Sequence, residues 1–309
     1  MARASIVYRR RYNFGFPGLE KLHPFDMRKF AHAMSALRRR GALRRGDVRR
    51  PRWPSDLDLQ RVHWRRYLKS VRSSETLAKI VEVPFVARLP QVAARYALLH
   101  PMRWAVGGTM LAARLALERG SAVNLGGGFH HAHANRGHGF CVFSDVAVAI
   151  AVLRAESRAQ RFLIVDLDAH QGDGHSALFA DDEQVEILDM FNDAIFPGDS
   201  RAEEGITWDV RLEPGTGDRE YLARLEDALP HAIDASRPDL AFYLAGTDVI
   251  AGDPLGLFDL SPAGLLRRDR FVWEALAARG VPRVMLTAGG YTQGSAALIA
   301  STVEHYLSR

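Results

Sequence analysis

An apolar run at residues 162–165 leads directly into a stretch rich in acidic residues and histidine. Such a run is typical of a buried parallel strand that delivers polar side chains at its carboxyl end. Because strand residues alternate between faces, Asp166, Asp168 and His170 are expected to share one side. Burying three such groups is costly unless a partner compensates them. Carboxylate and imidazole both suit zinc and similar first-row ions, so the stretch predicts a divalent metal site.

Asp248 follows a second predicted strand and is the candidate third ligand beside Asp168 and His170. A catalytic zinc usually has three protein ligands and keeps a fourth position open for water. The alternative interpretation makes the carboxylates turn or capping residues and the histidine a core residue.

The residues around these ligands also indicate how many metals to expect. A two-metal ureohydrolase would carry a further acid two residues after the histidine ligand and another two residues after Asp248. This chain has Gly172 and Ile250 at those places. One metal is therefore favoured, acting as a Lewis acid and activating water.

Two adjacent histidines, His130 and His131, follow the glycine run at residues 126–128. Glycines let the backbone approach a substrate or a metal closely, and two histidines can supply a base and an acid near neutral pH. Each ring needs a partner on its far nitrogen, and Asp166 and Asp173 remain for that role. The alternative for any of these rings is a solvated loop histidine. We interpret the other histidines of this loop in that way: His133 and His138.

Tyr291 follows two glycines, Gly289 and Gly290, at the end of another predicted strand. A phenol aimed at the reacting carbonyl could stabilise a tetrahedral oxyanion. A tyrosine at a strand end more often serves packing. The catalytic interpretation of Tyr291 depends on its place at the same edge of the predicted sheet as the other candidate residues.

The elements that must position these residues alternate along the chain. Apolar strand patterns occur at residues 5–8, 122–125, 162–165, 185–188, 240–244 and 284–286. Helical patterns occur at residues 101–118, 144–156, 219–235, 261–278 and 294–306. The alternation predicts an α/β fold with a mostly parallel central sheet and helices on both faces. Since ligands bind beyond the carboxyl ends of such strands, we expect a single domain, residues 1–309, with one site built from several loops.

Composition narrows the class of protein. With 309 residues and 47% hydrophobic content, the chain can bury a large core. It contains no apolar run of membrane-spanning length and no signal-peptide core, and Cys141 is its single cysteine. A reducing, cytoplasmic location is therefore expected.

The net charge of +5 is concentrated in arginines at residues 38–52. Such a segment can bind nucleic acid. Aromatic residues do not interleave with these arginines, so we interpret the segment as a solvated helix end and loop and do not expect a nucleic-acid partner.

Taken together, these motifs resemble the histone deacetylase superfamily, of the arginase–deacetylase fold. The residues that carry the resemblance appear in family order: His130, His131, Asp166, Asp168, His170, Asp173, Asp248 and Tyr291. The resemblance extends over nearly the whole chain. It is greatest to the class IV, eleven-type branch, through residues 12–13, 18–26, 107–109, 168–171, 196–199, 245–248 and 252–256. The low lysine content beside many arginines suggests a bacterial homologue.

The resemblance implies a zinc ion on Asp168, His170 and Asp248, and ferrous iron also suits such ligands. It further implies a potassium ion beside the zinc strand. The residues that match this second place are Asp166, Asp168 and His170, through their backbone, with Asp189 and Met190. Asp189 stands where many relatives carry serine.

Catalytic roles are implied in the same way. His131, paired with Asp173, would be the general base and later the acid. His130, paired with Asp166, would tune it electrostatically, and Tyr291 would hold the carbonyl oxygen. The resemblance also implies a narrow tunnel for an acyl-lysine stem, with substrate-binding residues Gly128, Gly139, Phe140, Phe196 and Gly289.

The expected function is metal-dependent removal of acetyl or longer fatty acyl groups from lysine side chains or similar amines. The substrate would be an acylated protein, a peptide or an acylated amine. An acetylpolyamine or other small amide is the alternative substrate. A two-metal ureohydrolase and a non-catalytic binding protein are the competing classes. No oligomeric state is predicted.

Overall fold

The computed structural model describes residues 3–14, 25–26 and 28–308. The motif at residues 18–26, which contributes to the resemblance, therefore lies largely outside the described residues. Within the described ranges, no helix is both long and apolar enough to cross a membrane.

Eight strands of the described chain form one sheet: β1 Ser5–Val7, β2 Val48–Arg49, β3 Ser121–Asn124, β4 Phe162–Asp166, β5 Val185–Asn192, β6 Trp208–Leu212, β7 Leu240–Leu244 and β8 Arg283–Leu286. Their order is β2-β1-β3-β8-β7-β4-β5-β6, and every neighbouring pair is parallel. All residues of β4 and β7 are buried, as expected where helices cover both faces of a sheet. The predicted α/β fold with a parallel sheet is confirmed.

Helices form a layer on each face of the sheet. They are α1 Lys29–Arg39, α2 Asp56–Gln60, α3 Arg65–Ser70, α4 Ser74–Ile80, α5 Gln91–Ala94, α6 His100–Arg119, α7 Asp145–Ala155, α8 Asp173–Phe179, α9 Asp218–Ser236, α10 Pro262–Ala278 and α11 Ser295–Leu307. A π-helical turn, Arg95–Leu99, joins α5 to α6. Helices α1, α9, α10 and α11 build one apolar cluster, and α4, α6 and α7 contribute to the other.

The predicted helices match α6, α7, α9, α10 and α11 to within one residue at each end. The start of α10 shows why such bounds can be predicted. The Oγ atom of Ser261 accepts a hydrogen bond from the backbone N–H of Gly264 at 3.0 Å, and Pro262 takes the first helical position. Both residues are strong helix-start signals.

Sequence patterns did not predict the two edge strands, helix α1 or the short helices α2–α5 and α8. Strand β2 has only two residues and lies within the arginine-rich segment. Strand β6 lies at the opposite edge, where Asp209 and Arg211 are exposed while Val210 and Leu212 are buried. An edge strand is half-solvated, so it lacks the continuous apolar run that marks the inner strands.

Five neighbouring strands, β3, β8, β7, β4 and β5, end at the same edge of the sheet. The loops that follow them carry, in that order, His131, Tyr291, Asp248, His170 and Phe196. The topology therefore gathers residues that are far apart in sequence beyond one set of carboxyl ends, where parallel sheets bind ligands.

Candidate active site

The three predicted metal ligands meet beyond the ends of β4 and β7. The Nδ1 atom of His170 lies 3.0 Å from Oδ1 of Asp168 and 3.2 Å from Oδ2 of Asp248. One ligand atom from each residue lies within 4.8 Å of the others, and all three side chains are buried. The three residues that the sequence predicts as metal ligands therefore do converge in space.

The electrostatics of this triad fit a cation. Burial and the neighbouring Asp168 raise the pKa of Asp248 to about 7. Although burial lowers it, the two carboxylates raise the pKa of His170 to about 10. Oδ2 of Asp248 is buried, and apart from its contact with His170 it has no hydrogen-bond partner among the described residues. The raised pKa of His170 shows that the two carboxylates favour a positive charge between them, and a divalent ion with oxygen and nitrogen ligands can supply that charge in place of the proton.

Backbone N–H groups fix the orientation of both carboxylates. The N–H of Ala169 donates to Oδ1 of Asp248 at 3.1 Å, and the N–H of Gly289 donates to Oδ2 of Asp168 at 2.7 Å. A Cβ atom at position 289 would lie 2.2 Å from Oδ2 of Asp248. Glycine is required here because the β8 loop passes directly over the ligand oxygens.

His130 and His131 each pair with a buried aspartate. Nδ1 of His130 lies 2.9 Å from Oδ2 of Asp166, and Nδ1 of His131 lies 2.7 Å from Oδ1 of Asp173. The two ring centres are 4.0 Å apart. These are the pairs that the resemblance implied, and each carboxylate fixes the tautomer of its ring.

The two histidines differ in charge. Burial lowers the pKa of His130, but Asp166 and Asp168 outweigh it and raise that pKa to about 10. Burial and the neighbouring charge of His130 lower the pKa of His131 to about 3. Asp166 and Asp168 therefore favour the protonated form of His130, whereas His131 is held as a neutral ring with its Nε2 lone pair available. Two titratable groups with pKa values pushed apart are a common arrangement in acid–base sites.

His133 and His138 are not solvated loop residues, and this prediction was wrong. The Nε2 atom of His133 lies 2.9 Å, and that of His138 2.8 Å, from Oδ2 of Asp173. Although burial raises it, the hydrogen bonds of three histidines hold the pKa of Asp173 well below its usual range. The loop after β3 folds back over the start of α8, so its later histidines share the carboxylate that orients His131.

Asp173, His131 and His138 also form a second group of potential metal ligands. Both oxygens of Asp173 already accept hydrogen bonds from histidine rings. This group is therefore satisfied by its own contacts, whereas Asp248 in the first triad is not. The ligand triad of Asp168, His170 and Asp248 remains the candidate metal site.

His63, between α2 and α3, ties the histidine loop to helix α7. Its Nδ1–H donates to the carbonyl of His133 at 3.0 Å, and its Nε2 accepts from the N–H of Ser144 at 3.1 Å. The second contact requires a neutral ring, and burial lowers the pKa of His63 to about 4. His63 was not among the predicted site residues.

We expect part of the stability of the protein to depend on this neutral ring. The unfolded chain takes up the proton near pH 6.5, whereas the folded chain does so only at about pH 4. The contribution is therefore complete above pH 6.5 and is lost as the pH falls, by about 2 kcal/mol at pH 5. Urea unfolding at pH 7 and pH 5 measures it. His63→Gln, which keeps a donor and an acceptor, should lose less stability over that interval than the wild type. Equal losses would contradict the lowered pKa.

Tyr291 lies on the β8 loop, half-buried, with its ring 6.1 Å from that of His170. Its N–H donates to Oδ2 of Asp253 at 2.8 Å, which anchors the residue to the loop after β7. Burial and the nearby carboxylates of Asp168 and Asp248 raise the pKa of Tyr291 well above its usual value. The phenol therefore stays protonated and can donate a hydrogen bond.

Lys29 is a site residue that sequence reasoning missed. It is fully buried in the first turn of α1, and its Nζ donates to the carbonyls of Ala288 and Gly289, at 2.9 Å each. Burial lowers its pKa to about 8. The lysine holds the turn that carries Tyr291. One signal was available: Lys29 lies four residues before Ala33 and eight before Leu37, on the buried face of α1.

An apolar cavity of about 80 Å³ adjoins these groups. The predicted substrate residues Gly128, Gly139, Phe140 and Gly289 line it, together with His131 and Tyr291. Its lining also includes five aliphatic side chains, Val81, Val83, Val86, Leu98 and Met102. Phe196 is not among the lining residues but packs at the exposed rim, with its ring 5.0 Å from that of His131.

The predicted potassium place contains an unusual carboxylate. Asp189 on β5 lies beside Asp166 on β4 and is fully buried, as is Met190. One oxygen of Asp189 accepts from the N–H of Gly172 at 2.8 Å, and the other has no hydrogen-bond partner among the described residues. Burial and Asp166 raise the pKa of Asp189 well above its usual value. An orphaned buried carboxylate oxygen fits a bound cation.

Comparison with known proteins agrees with this architecture. Residues 23–307 match the family model of the histone deacetylase domain. The chain is 45% identical to histone deacetylase 2 of Arabidopsis thaliana over 309 residues, which is 100% of this chain and 80% of the relative. It is 28% identical to the acetoin utilization protein AcuC of Staphylococcus xylosus over 75% of this chain and 64% of that protein.

A solved structure shows the same fold. The crystal structure of the HDA15 HD domain superposes with a TM-score of 0.79, at 22% identity, over 100% of this chain and 90% of that one. The match of the family model covers most of the chain, including every strand from β2 to β8. The chain belongs to the histone deacetylase family.

Proposed function

We propose that this chain is a metal-dependent hydrolase that removes acyl groups from lysine side chains or similar amines. The observation that supports this most is the content of one cavity. Its lining includes the ligand Asp168, the neutral base His131 and the protonated phenol of Tyr291. The rings of His131 and His170 are 6.0 Å apart, close enough for one small group to lie between them. Amide hydrolysis needs these three kinds of group.

Asp168, His170 and Asp248 would hold the ion, which when bound polarises the amide carbonyl and makes water more acidic. The neutral Nε2 of His131 then accepts a proton from water as its oxygen attacks the carbonyl carbon. Asp173 keeps Nδ1 of that ring protonated and stabilises the imidazolium that forms. The carboxylate thereby makes the histidine a better base without itself taking up the proton.

His131 returns this proton to the amine nitrogen as the carbon–nitrogen bond breaks, which releases a carboxylic acid and an amine. The hydroxyl of Tyr291 donates to the carbonyl oxygen while negative charge develops on it. The cation at His130, held by Asp166, adds positive potential beside the reacting group. Lys29 holds the turn that aims the phenol.

The cavity also supports a choice of acyl group. Its lining includes aliphatic side chains, of which Val81, Val86, Leu98 and Met102 are buried. Such a surface suits a hydrocarbon chain better than a two-carbon acetyl group, so we propose that medium to long acyl chains are preferred.

Met102→Phe tests this acyl pocket. The larger ring projects into the cavity, so we expect kcat/KM for octanoyl-lysine peptide to fall about tenfold relative to acetyl-lysine peptide, since each buried methylene contributes about 0.8 kcal/mol. Met110→Phe on the same helix is the matched control, because Met110 is buried but does not line the cavity. If the wild-type enzyme hydrolyses acetyl-lysine peptide at least as fast as octanoyl- or myristoyl-lysine peptide, the proposed preference for longer acyl chains is wrong.

Several finer statements stay predictions from the sequence and from the resemblance. They are class IV membership, a bacterial source, a cytoplasmic location, zinc as the ion and potassium as the second cation. A small acylated amine such as an acetylpolyamine is the second candidate substrate. A two-metal ureohydrolase is disfavoured because the extra acids that it needs are replaced by Gly172 and Ile250. A non-catalytic binding protein would have no use for the complete acid–base pair.

A further inference from the structure

A second cavity, of about 1020 Å³, opens on the surface beside α1, the start of α6 and the segment at residues 8–13. Its lining contains five arginines and no acidic side chain among the described residues: Arg9, Arg10, Arg11, Arg38 and Arg50. We call this cavity the arginine cleft. It shares no lining residue with the active-site cavity, so the proposed hydrolysis does not account for it.

The positive charge of the arginine cleft is not neutralised within the described part of the chain. None of the five guanidinium groups forms an ion pair with a described carboxylate. Two carboxylates on nearby segments already form ion pairs with other arginines, Asp47 with Arg3 and Asp56 with Arg103. His100 also lines the cleft, and its pKa is lowered by burial and by the charges of Arg95, Arg103 and Arg11, of which Arg11 lines the cleft. Clustered like charges without counter-charges favour a bound anion.

The floor of the cleft is ordered. Arg9 lies over the buried ring of Trp104, with 3.8 Å between its guanidinium carbon and the ring centre, and donates to the carbonyl of Pro51 at 3.2 Å. Arg10 and Arg50 are exposed. The guanidinium fork matches two phosphate oxygens at once. Tyr96, 67% exposed on the rim, offers a ring face on which a planar group can stack.

We propose that the arginine cleft binds a small ligand that carries two or more phosphate groups, such as a nucleoside triphosphate or an inorganic polyphosphate. The five arginines line one concave surface, which suits several phosphates joined in one molecule. A single nucleic-acid strand is favoured by repeated aromatic faces along a track, and Tyr96 is the exposed aromatic residue among the lining side chains. This binding function is additional to the proposed hydrolysis.

The test uses the full chain in magnesium-free buffer at low salt, with ATP, tripolyphosphate and adenosine as probes. We expect ATP and tripolyphosphate to bind in isothermal titration calorimetry, and adenosine not to bind. Affinity should fall as salt is added, since charge dominates the contact. Equal affinity for ATP and tripolyphosphate indicates that the cleft recognises phosphate groups alone. Tighter binding of ATP indicates that the cleft also recognises the nucleoside. Either result supports the proposal.

The double variant Arg10→Ala/Arg50→Ala should weaken binding at least about tenfold, because each charge-assisted bond to phosphate is strong. It should hydrolyse an acyl-lysine peptide at the wild-type rate. Arg267→Ala/Arg270→Ala is the control, with the same loss of charge on exposed positions of α10. Equal weakening in both double variants, or no binding of either phosphate, overturns the proposal. An oligonucleotide that binds more tightly than ATP, with affinity rising with length, overturns it in favour of a nucleic acid.

Discussion

Replacing His131 with alanine should lower kcat for an acyl-lysine peptide by roughly 10³-fold, within the range of 10²–10⁴ that a general base contributes. The ring is neutral because burial and His130 lower its pKa to about 3, and its far nitrogen is held 2.7 Å from Asp173. None of the three proposed metal ligands changes in this variant. Steady-state kinetics, with metal content measured on the same sample, gives the result.

His133→Ala is the matched control for this variant. His133 also bonds to Asp173, but it does not line the active-site cavity. We therefore expect a loss of activity much smaller than that of His131→Ala, arising from a less well fixed carboxylate. If His131→Ala keeps more than about a tenth of the wild-type kcat while binding one metal, His131 is not the base.

Tyr291→Phe should lower kcat by roughly 10²-fold or more, which is the loss usually seen when an oxyanion donor is removed. The variant keeps the ring that packs 6.1 Å from Phe140 and 6.2 Å from Phe25 and removes only the hydroxyl. Because the contact strengthens as charge develops, kcat should fall while KM changes little. Peptide hydrolysis at several substrate concentrations separates the two constants.

Tyr306→Phe provides the comparison for this second prediction. The Tyr306 hydroxyl donates to the carbonyl of Asp269 at 2.8 Å in the core around α10 and α11. Its removal should lower the free energy of unfolding by about 1 kcal/mol and leave kcat unchanged. A wild-type kcat in Tyr291→Phe would remove the phenol from the mechanism.

The inner strands and the long helices could be predicted because their signals are local. Strand β4 is a continuous apolar run that ends in Asp166, and α10 begins with a serine cap and a proline. The convergence of Asp168, His170 and Asp248 could be predicted by similar logic, since acids and histidine at strand ends gather at one edge of a parallel sheet. This prediction depends on the topology of the sheet and not on its detailed geometry.

The missed residues depend on contacts between segments that are far apart in sequence. His133 and His138 belong to a loop whose composition resembles that of a solvated turn, and only its path over α8 brings them to Asp173. Lys29 reaches carbonyl groups about 260 residues further along the chain. A buried lysine is rare, and no local sequence pattern indicates that its partners are distant backbone oxygens. This pairing could be seen only in the folded chain.

We propose that one ion, held by Asp168, His170 and Asp248, is required for amide hydrolysis. The direct measurement is the metal content and the octanoyl-lysine hydrolysis rate of one protein sample, stripped with a chelator and then titrated with zinc. We expect activity to be lost on stripping and to return in proportion to zinc, reaching its maximum at one ion per chain. Full activity in the stripped protein, or a requirement for two ions per chain, would contradict the claim.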